Sequence, residues 1–322
     1  MTQTLAWLSA DEVERALPWR YAVDVLAQAL VDGTAPGNSP ARGHVPVGQG
    51  ELLLMPGEAG DDIGVKLVTV HDDATVAGVP RIQGVHVCFD GRTLTPTAVL
   101  DAAALTLRRT AALGALAVAR LAPDESASLL VFGTGPQAHA HVPAIDAVRP
   151  LREVVVVGRR RQPTSDLVAR LRDEGFAARR GEPSDVAGVD LVACCTTATA
   201  PLFDSALLRG TATVVAMGSH SPDAREVDTA LVRSATVVVE SRANALATAG
   251  DIVLAVADGV PEADAVTGTL AQLCRGELEV APDRPRLFKS VGEAWADVVT
   301  AAAALARAAG RPPADDRAQR HR

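Results

Sequence analysis

Ser128-Leu129-Leu130-Val131-Phe132-Gly133-Thr134-Gly135-Pro136-Gln137-Ala138-His139-Ala140-His141 reads as a strand running through a tight turn into a helix. The apolar run has strand length, Gly133-Thr134-Gly135 closes it, and helix-forming composition begins at Gln137-Ala138. This is how a dinucleotide-binding βαβ unit begins. Gly133 permits the turn, Gly135 lets the backbone approach a pyrophosphate, and Ala138 is small where a third glycine often stands. The phosphates would rest on the N-terminal N–H groups of the helix that follows. Taken alone, the pattern also fits a glycine-rich turn between a buried strand and its helix. The second strand, Glu153-Val154-Val155-Val156-Val157, follows at the required distance of about 20 residues. It ends in Gly158-Arg159-Arg160-Arg161, where an NAD site usually has an acid for the ribose hydroxyls. Arginine there suits a ribose 2′-phosphate, so NADP(H) is expected over NAD(H), with NAD(H) still possible. The alternative is a solvated basic turn.

The remaining composition narrows the class. A chain of 322 residues has room for two domains, and 48% hydrophobic with 22% charged residues is a globular composition. A net charge of −8 argues against general nucleic-acid binding. Charges interrupt every candidate membrane span, and Met1-Thr2-Gln3-Thr4 lacks the basic region of a signal peptide. Cys88, Cys194, Cys195 and Cys274 have no metal-ligand spacing, so buried free thiols and a reducing cytoplasm are expected, with no metal. Aromatic residues make up only 3%, which leaves the core to Val, Leu and Ala.

Residues 1–125 read as an α+β domain. Ser9 and Glu12 form a capping box, Pro18 opens a second helix, and Gly33 and Pro36-Gly37 end it. Strand-like pieces at 44–47, 51–55, 63–70 and 84–89 predict a small, mostly antiparallel sheet, followed by a helix over 98–121. Residues 126–285 alternate strands (128–132, 153–157, 190–195, 213–217, 236–239) with helices. That alternation predicts a Rossmann-type doubly wound parallel sheet. An Ala-rich helix within 286–310 is expected to rejoin the first domain, and the polar tail 311–322 to be disordered.

Three basic residues of the first domain stand out. Lys66 interrupts the apolar strand Ile63-Gly64-Val65-Lys66-Leu67-Val68, and a buried lysine has a lowered pKa suited to acid–base work. One wet face of the sheet would explain it equally. Arg42 and Arg109 could bind a carboxylate bidentately, or each could be a surface charge.

The chain resembles the ornithine cyclodeaminase/mu-crystallin family of NAD(P)-dependent enzymes. The matching pieces are Ile63-Gly64-Val65-Lys66, Leu105-Thr106-Leu107-Arg108-Arg109-Thr110-Ala111-Ala112, Gly133-Thr134-Gly135-Pro136-Gln137-Ala138, Gly218-Ser219-His220-Ser221-Pro222 and Phe288-Lys289-Ser290-Val291-Gly292. The resemblance implies an N-terminal substrate and dimerisation domain, a Rossmann domain and a homodimer. It implies Lys66 as catalytic acid/base and Arg42 and Arg109 as the substrate carboxylate clamp. Gly133 to Gln137 would take the pyrophosphate, Arg159 and Arg160 the adenosine-side phosphate, and Thr196, Thr197, Gly218 and Ser290 the nicotinamide end. One departure matters: His220 stands where the cyclodeaminases carry an aspartate that handles the ornithine side-chain amine. An imidazole attracts an ammonium poorly. With the basic turn, this favours an NADPH-dependent ketimine reductase that converts Δ1-pyrroline-2-carboxylate or Δ1-piperideine-2-carboxylate to proline or pipecolate, with His220 assisting or lining the pocket. The alternatives are ornithine cyclodeaminase, an amino-acid dehydrogenase of the family, or a non-catalytic NADPH-binding, crystallin-like protein.

Overall fold

The computed structural model describes residues 5–71 and 80–310. The chain forms two units, Met1–Arg109 with Glu293–Arg322, and Thr110–Gly292. The expectation about the tail 311–322 lies outside the described residues.

The first unit is a six-stranded sheet with helices. Its strands are β1 (Ala6–Leu8), β2 (Gly43–Val47), β3 (Gly50–Ala59), β4 (Asp62–His71), β5 (Ile82–Asp90) and β6 (Pro96–Asp101), in the order β1-β6-β5-β4-β3-β2. β1 lies parallel to β6, and every other pair is antiparallel. Helix α1 (Ala10–Ala16) starts at the predicted capping box, where Ser9 N–H donates to Glu12 Oε2 at 2.8 Å. In α2 (Trp19–Val31) the helical spacing buries Ala22, Val23, Leu26 and Leu30 on one face. The C-terminal helix (Ala294–Ala308) lies across β3, β4 and β5. Small residues allow a close approach: a Cβ on Gly57 would come within 2.7 Å of Ala294 Cβ.

The second unit is an eight-stranded sheet. It comprises β7 (Ser128–Phe132), β8 (Glu153–Val157), β9 (Ala178–Arg180), β10 (Leu191–Cys194), β11 (Thr213–Ala216), β12 (Thr236–Val239), β13 (Gly268–Thr269) and β14 (Arg286–Lys289). The order is β13-β12-β14-β11-β10-β7-β8-β9, and all pairs are parallel. Strands β10, β11, β12 and β14 are buried along their whole length, as helices on both faces require. Leu130, Val155, Val192, Val214, Val237 and Leu287 belong to one apolar cluster. The strand order reverses between β7 and β10, which is where such sheets bind ligands at their carboxyl ends.

Several expectations need correction. Residues 286–289, expected as the start of the last helix, form β14 between β11 and β12, and the helix itself begins at Ala294. The stretch expected as helix from residue 98 begins as strand β6, and α3 (Ala102–Leu121) follows. The unit boundary falls inside α3, not near residue 125, and the second unit continues to Gly292 instead of ending at 285. Helix α3 is also long and apolar enough to cross a membrane despite its arginines, yet it is mostly buried in protein, as a core helix is.

Candidate active site

Lys66 sits mid-strand in β4, on the face that the C-terminal helix covers, and is 2% exposed. Its Nζ is 2.8 Å from Oδ2 of Asp297, which projects from that helix with no exposure. The other carboxylate oxygen, Oδ1, accepts a hydrogen bond from Arg109 Nε at 2.9 Å. Two buried cations thus share one buried anion, and this trio carries a net positive charge. Arg42, half-buried just before β2, is close enough for its charge to act on Lys66.

Burial is the largest influence on Lys66 and brings its pKa down to about 8; Asp297 opposes the shift, while Arg109 and Arg42 add to it. The amine is therefore poised near neutrality, as a proton donor and acceptor should be. Burial would raise the Asp297 carboxyl, but Arg109, Lys66 and His86 outweigh it and hold it at about 2. His86 is paired across the strands with Lys66 and is fully buried. Burial, aided by Lys66 and opposed by Asp297, pushes its pKa down to about 4, so the imidazole is neutral. Its ring occupies space that Gly64 leaves open: a Cβ there would lie 2.4 Å from His86 Nε2.

In the second unit, Gly133 has φ +114°, and a Cβ on it would meet Cys195 O at 2.5 Å, so only glycine fits the turn. Gly135 is the N-cap of α4 (Pro136–Asp146), Pro136 takes its first turn, and both are exposed. A Cβ on Gly135 would meet nothing within 4 Å, which leaves open space over the helix N-terminus. Thr134 and Gln137 flank this opening in the same turn. Such a terminus suits a pyrophosphate. Arg159 and Arg160 are exposed beyond β8, at the start of α5 (Arg161–Asp173). Thr196, Thr197, Gly218, His220 and Ser290 all follow the carboxyl ends of β10, β11 and β14. Thr197 is exposed; so is His220, whose Nδ1 is 3.4 Å from Gly218 O.

Residues 6–311 match the ornithine cyclodeaminase/mu-crystallin family. The chain belongs to that family. The Δ1-pyrroline-2-carboxylate reductase of Colwellia psychrerythraea is 31% identical over 307 residues, 91% of this chain and 96% of the relative. The ketimine reductase mu-crystallin of Mus musculus is 29% identical over 310 residues, 94% and 96% of the two chains. Among solved structures, the Thermococcus litoralis Δ1-pyrroline-2-carboxylate reductase in complex with NADH and L-proline aligns with a TM-score of 0.89 at 25% identity, covering 95% of this chain and 98% of that one.

In this family member, Lys66 and Arg109 meet at a carboxylate that the sequence reading missed. Asp297 lies in an Ala-rich segment, but it occupies the helical face of buried Ala294, Ala301 and Ala304. An acid at that spacing in an apolar stripe was the available signal. Glu226 and Glu240 were missed as well. Glu226 accepts hydrogen bonds from Thr196 N–H, Thr196 O–H and Gly218 N–H, each at 2.8 Å. Glu240 accepts from the Ser290 hydroxyl. Both are buried, and neither stands in a motif that marks it.

Proposed function

We propose that the protein reduces a cyclic ketimine carboxylate, Δ1-pyrroline-2-carboxylate or Δ1-piperideine-2-carboxylate, to proline or pipecolate. The observation that carries this reading is the buried Lys66–Asp297–Arg109 trio, in which one carboxylate serves two cations. An uncompensated buried positive charge is costly, and a substrate carboxylate relieves it. Arg42 and Arg109 hold that carboxylate, while Asp297 orients Lys66 and Arg109 together. Lys66 gives its proton to the imine nitrogen, which makes the adjacent carbon electrophilic, and regains a proton from solvent. The turn from Gly133 to Gln137 has the open helix terminus and the glycine geometry that a dinucleotide needs. A nicotinamide cofactor held at that turn would supply the hydride to the C=N carbon. The net change is one hydride to carbon and one proton to nitrogen.

Exposed Arg159 and Arg160 beside a helix N-terminus support NADPH as the preferred donor, with NADH also accepted. His220, close to the Gly218 carbonyl, lines the nicotinamide-side loop. Its imidazole in place of a carboxylate weighs against ornithine as substrate. The four free cysteines suit a reducing cytoplasm, and a homodimer is the assembly expected of the family. The test follows NADPH and NADH oxidation in parallel with both cyclic imines. Rapid oxidation with either imine supports the reading. Release of ammonia and proline from ornithine, with no imine reduction, would replace it with cyclodeamination. Tight NADPH binding without turnover on any imine or keto acid would replace it with a crystallin-like binding role.

A further inference from the structure

The loops after β10 and β11 are tied together at a point the reaction chemistry does not use. Glu226, with no exposed surface, places Oε1 against Thr196 N–H and O–H and Oε2 against Gly218 N–H, all at 2.8 Å. Gly218 is locked against the same group: a Cβ there would lie 2.1 Å from Thr196 O and 2.5 Å from Glu226 Oε1. Glu226 is itself held from behind. Asp251 Oδ1 accepts its backbone N–H at 2.6 Å and that of Val227 at 2.9 Å. The second oxygen of Asp251 pairs with Lys289 Nζ at 2.8 Å, and the same ammonium donates to Ser219 O at 2.6 Å. The chain of contacts therefore runs from β14 through Asp251 and Glu226 to both loops, and returns to the loop after β11.

We infer that Glu226 is a positioning residue for the nicotinamide end of the cofactor, setting the spacing between the Thr196 and Gly218 loops. This rests on the reading above, in which those loops face the nicotinamide. Glu226 reaches the cofactor only through the two loops. The arrangement demands an acceptor at both of its oxygens. A glutamine offers one acceptor and one NH2 group, so in either orientation one loop meets a donor where it needs an acceptor. Glu226 makes no hydrogen bond to the phosphate turn after β7 or the arginine turn after β8, so its substitution should act at the nicotinamide end of the cofactor.

The test is calorimetric, without substrate, on the full chain. NADP⁺ and 2′-phospho-ADP-ribose, which lacks the nicotinamide ring, are titrated into the wild type, Glu226→Gln and Glu226→Asp. The wild type is expected to bind NADP⁺ more tightly than the fragment. In Glu226→Gln, NADP⁺ affinity should fall about tenfold, the size of a buried polar group left unmatched, while the fragment keeps its affinity. Glu226→Asp keeps the carboxylate but cannot span both loops. It should show the same selective loss, and it carries the test if the glutamine variant does not fold. Equal loss of both ligands, or no loss of either, in a variant that melts as the wild type does overturns the inference. Failure of the wild type to bind either ligand overturns the cofactor reading and this inference with it.

Discussion

Lys66 Nζ and Asp297 Oδ2 stand 2.8 Å apart where neither side chain exceeds 3% exposure. The lysine comes from the middle of a sheet and the acid from the last helix, so this ion pair ties the sheet to the helix that covers it. Asp297→Asn removes the carboxylate that Lys66 and Arg109 share. Breaking a buried pair in this way costs roughly 3–5 kcal/mol. Urea unfolding should show a loss of that order, and imine turnover should be lost at temperatures where the variant is still folded. Wild-type stability in this variant would mean that the trio is not a charged cluster.

Lys66→Ala should lower imine reduction by a factor on the order of 10²–10⁴, the range for a positioned proton donor. Affinity for the cofactor, measured by fluorescence titration, should stay near the wild-type value. Retained turnover would remove Lys66 from its role.

The pH dependence has a definite sign. In the proposed reaction Lys66 is the acid, and burial lowers its pKa to about 8, so kcat/KM should fall as pH rises through that value. Its contribution to stability runs the other way. Its pKa is lowered from 10.5 by burial first, so between about 8 and 10.5 the unfolded chain binds more protons than the folded one, and this group makes stability rise with pH. Asp297 stabilises above its ordinary carboxylate range, and that stabilisation fades as pH falls from 3.8 through about 2. Activity lost above pH 8 should therefore appear without unfolding. Melting temperatures recorded beside the rate profile check this.

Gly64→Ala tests the packing beneath the site. The new methyl would sit 2.4 Å from His86 Nε2 and 3.3 Å from Val298 Cγ2, both of them buried side chains. Overpacking of this kind costs about 1–3 kcal/mol. The double variant Gly64→Ala/His86→Ala should recover part of that loss, because the ring that causes the clash is gone. A fully additive double variant would show that the two positions do not interact.

Replacing Arg159 and Arg160 together by Ala should raise KM for NADPH about tenfold, as loss of charge-assisted hydrogen bonds to a phosphate predicts. KM for NADH should change little. Equal effects on both cofactors would assign the basic turn to general solvation.

The residues that made the fold legible were those whose chemistry is local. Gly133 and Gly135 declare a turn, the run Val154–Val157 declares a strand, and the spacing between them implies the rest of the parallel sheet. What stayed hidden depends on long-range compensation. Strand β14 carries Arg286 at one end and Lys289 at the other, which disguises a fully buried strand. Arg286 donates to the carbonyls of Thr211, Ala281 and Pro282, and Lys289 is held by Asp251 and Ser219 O. None of those partners can be known before the fold is. Strand β6 vanished into the Ala- and Leu-rich helix that follows it, because its Ala98-Val99-Leu100 continues the same composition. At the site, Lys66, Arg42 and Arg109 could be singled out as charges in apolar surroundings. Asp297 required knowing which face of the last helix meets the sheet.

Arg109 and Asp297 are 188 residues apart in sequence, and the whole second unit is encoded between them. A ribosome adding roughly 5–20 residues per second makes Lys66 and Arg109 well before their shared counterion, leaving an interval on the order of 10–40 s. During that interval the first unit cannot bury Lys66 and Arg109 without leaving them short of the carboxylate they share. The first unit begun is therefore the last to close, and chains cut short before residue 297 should hold Lys66 without the carboxylate that pairs with it.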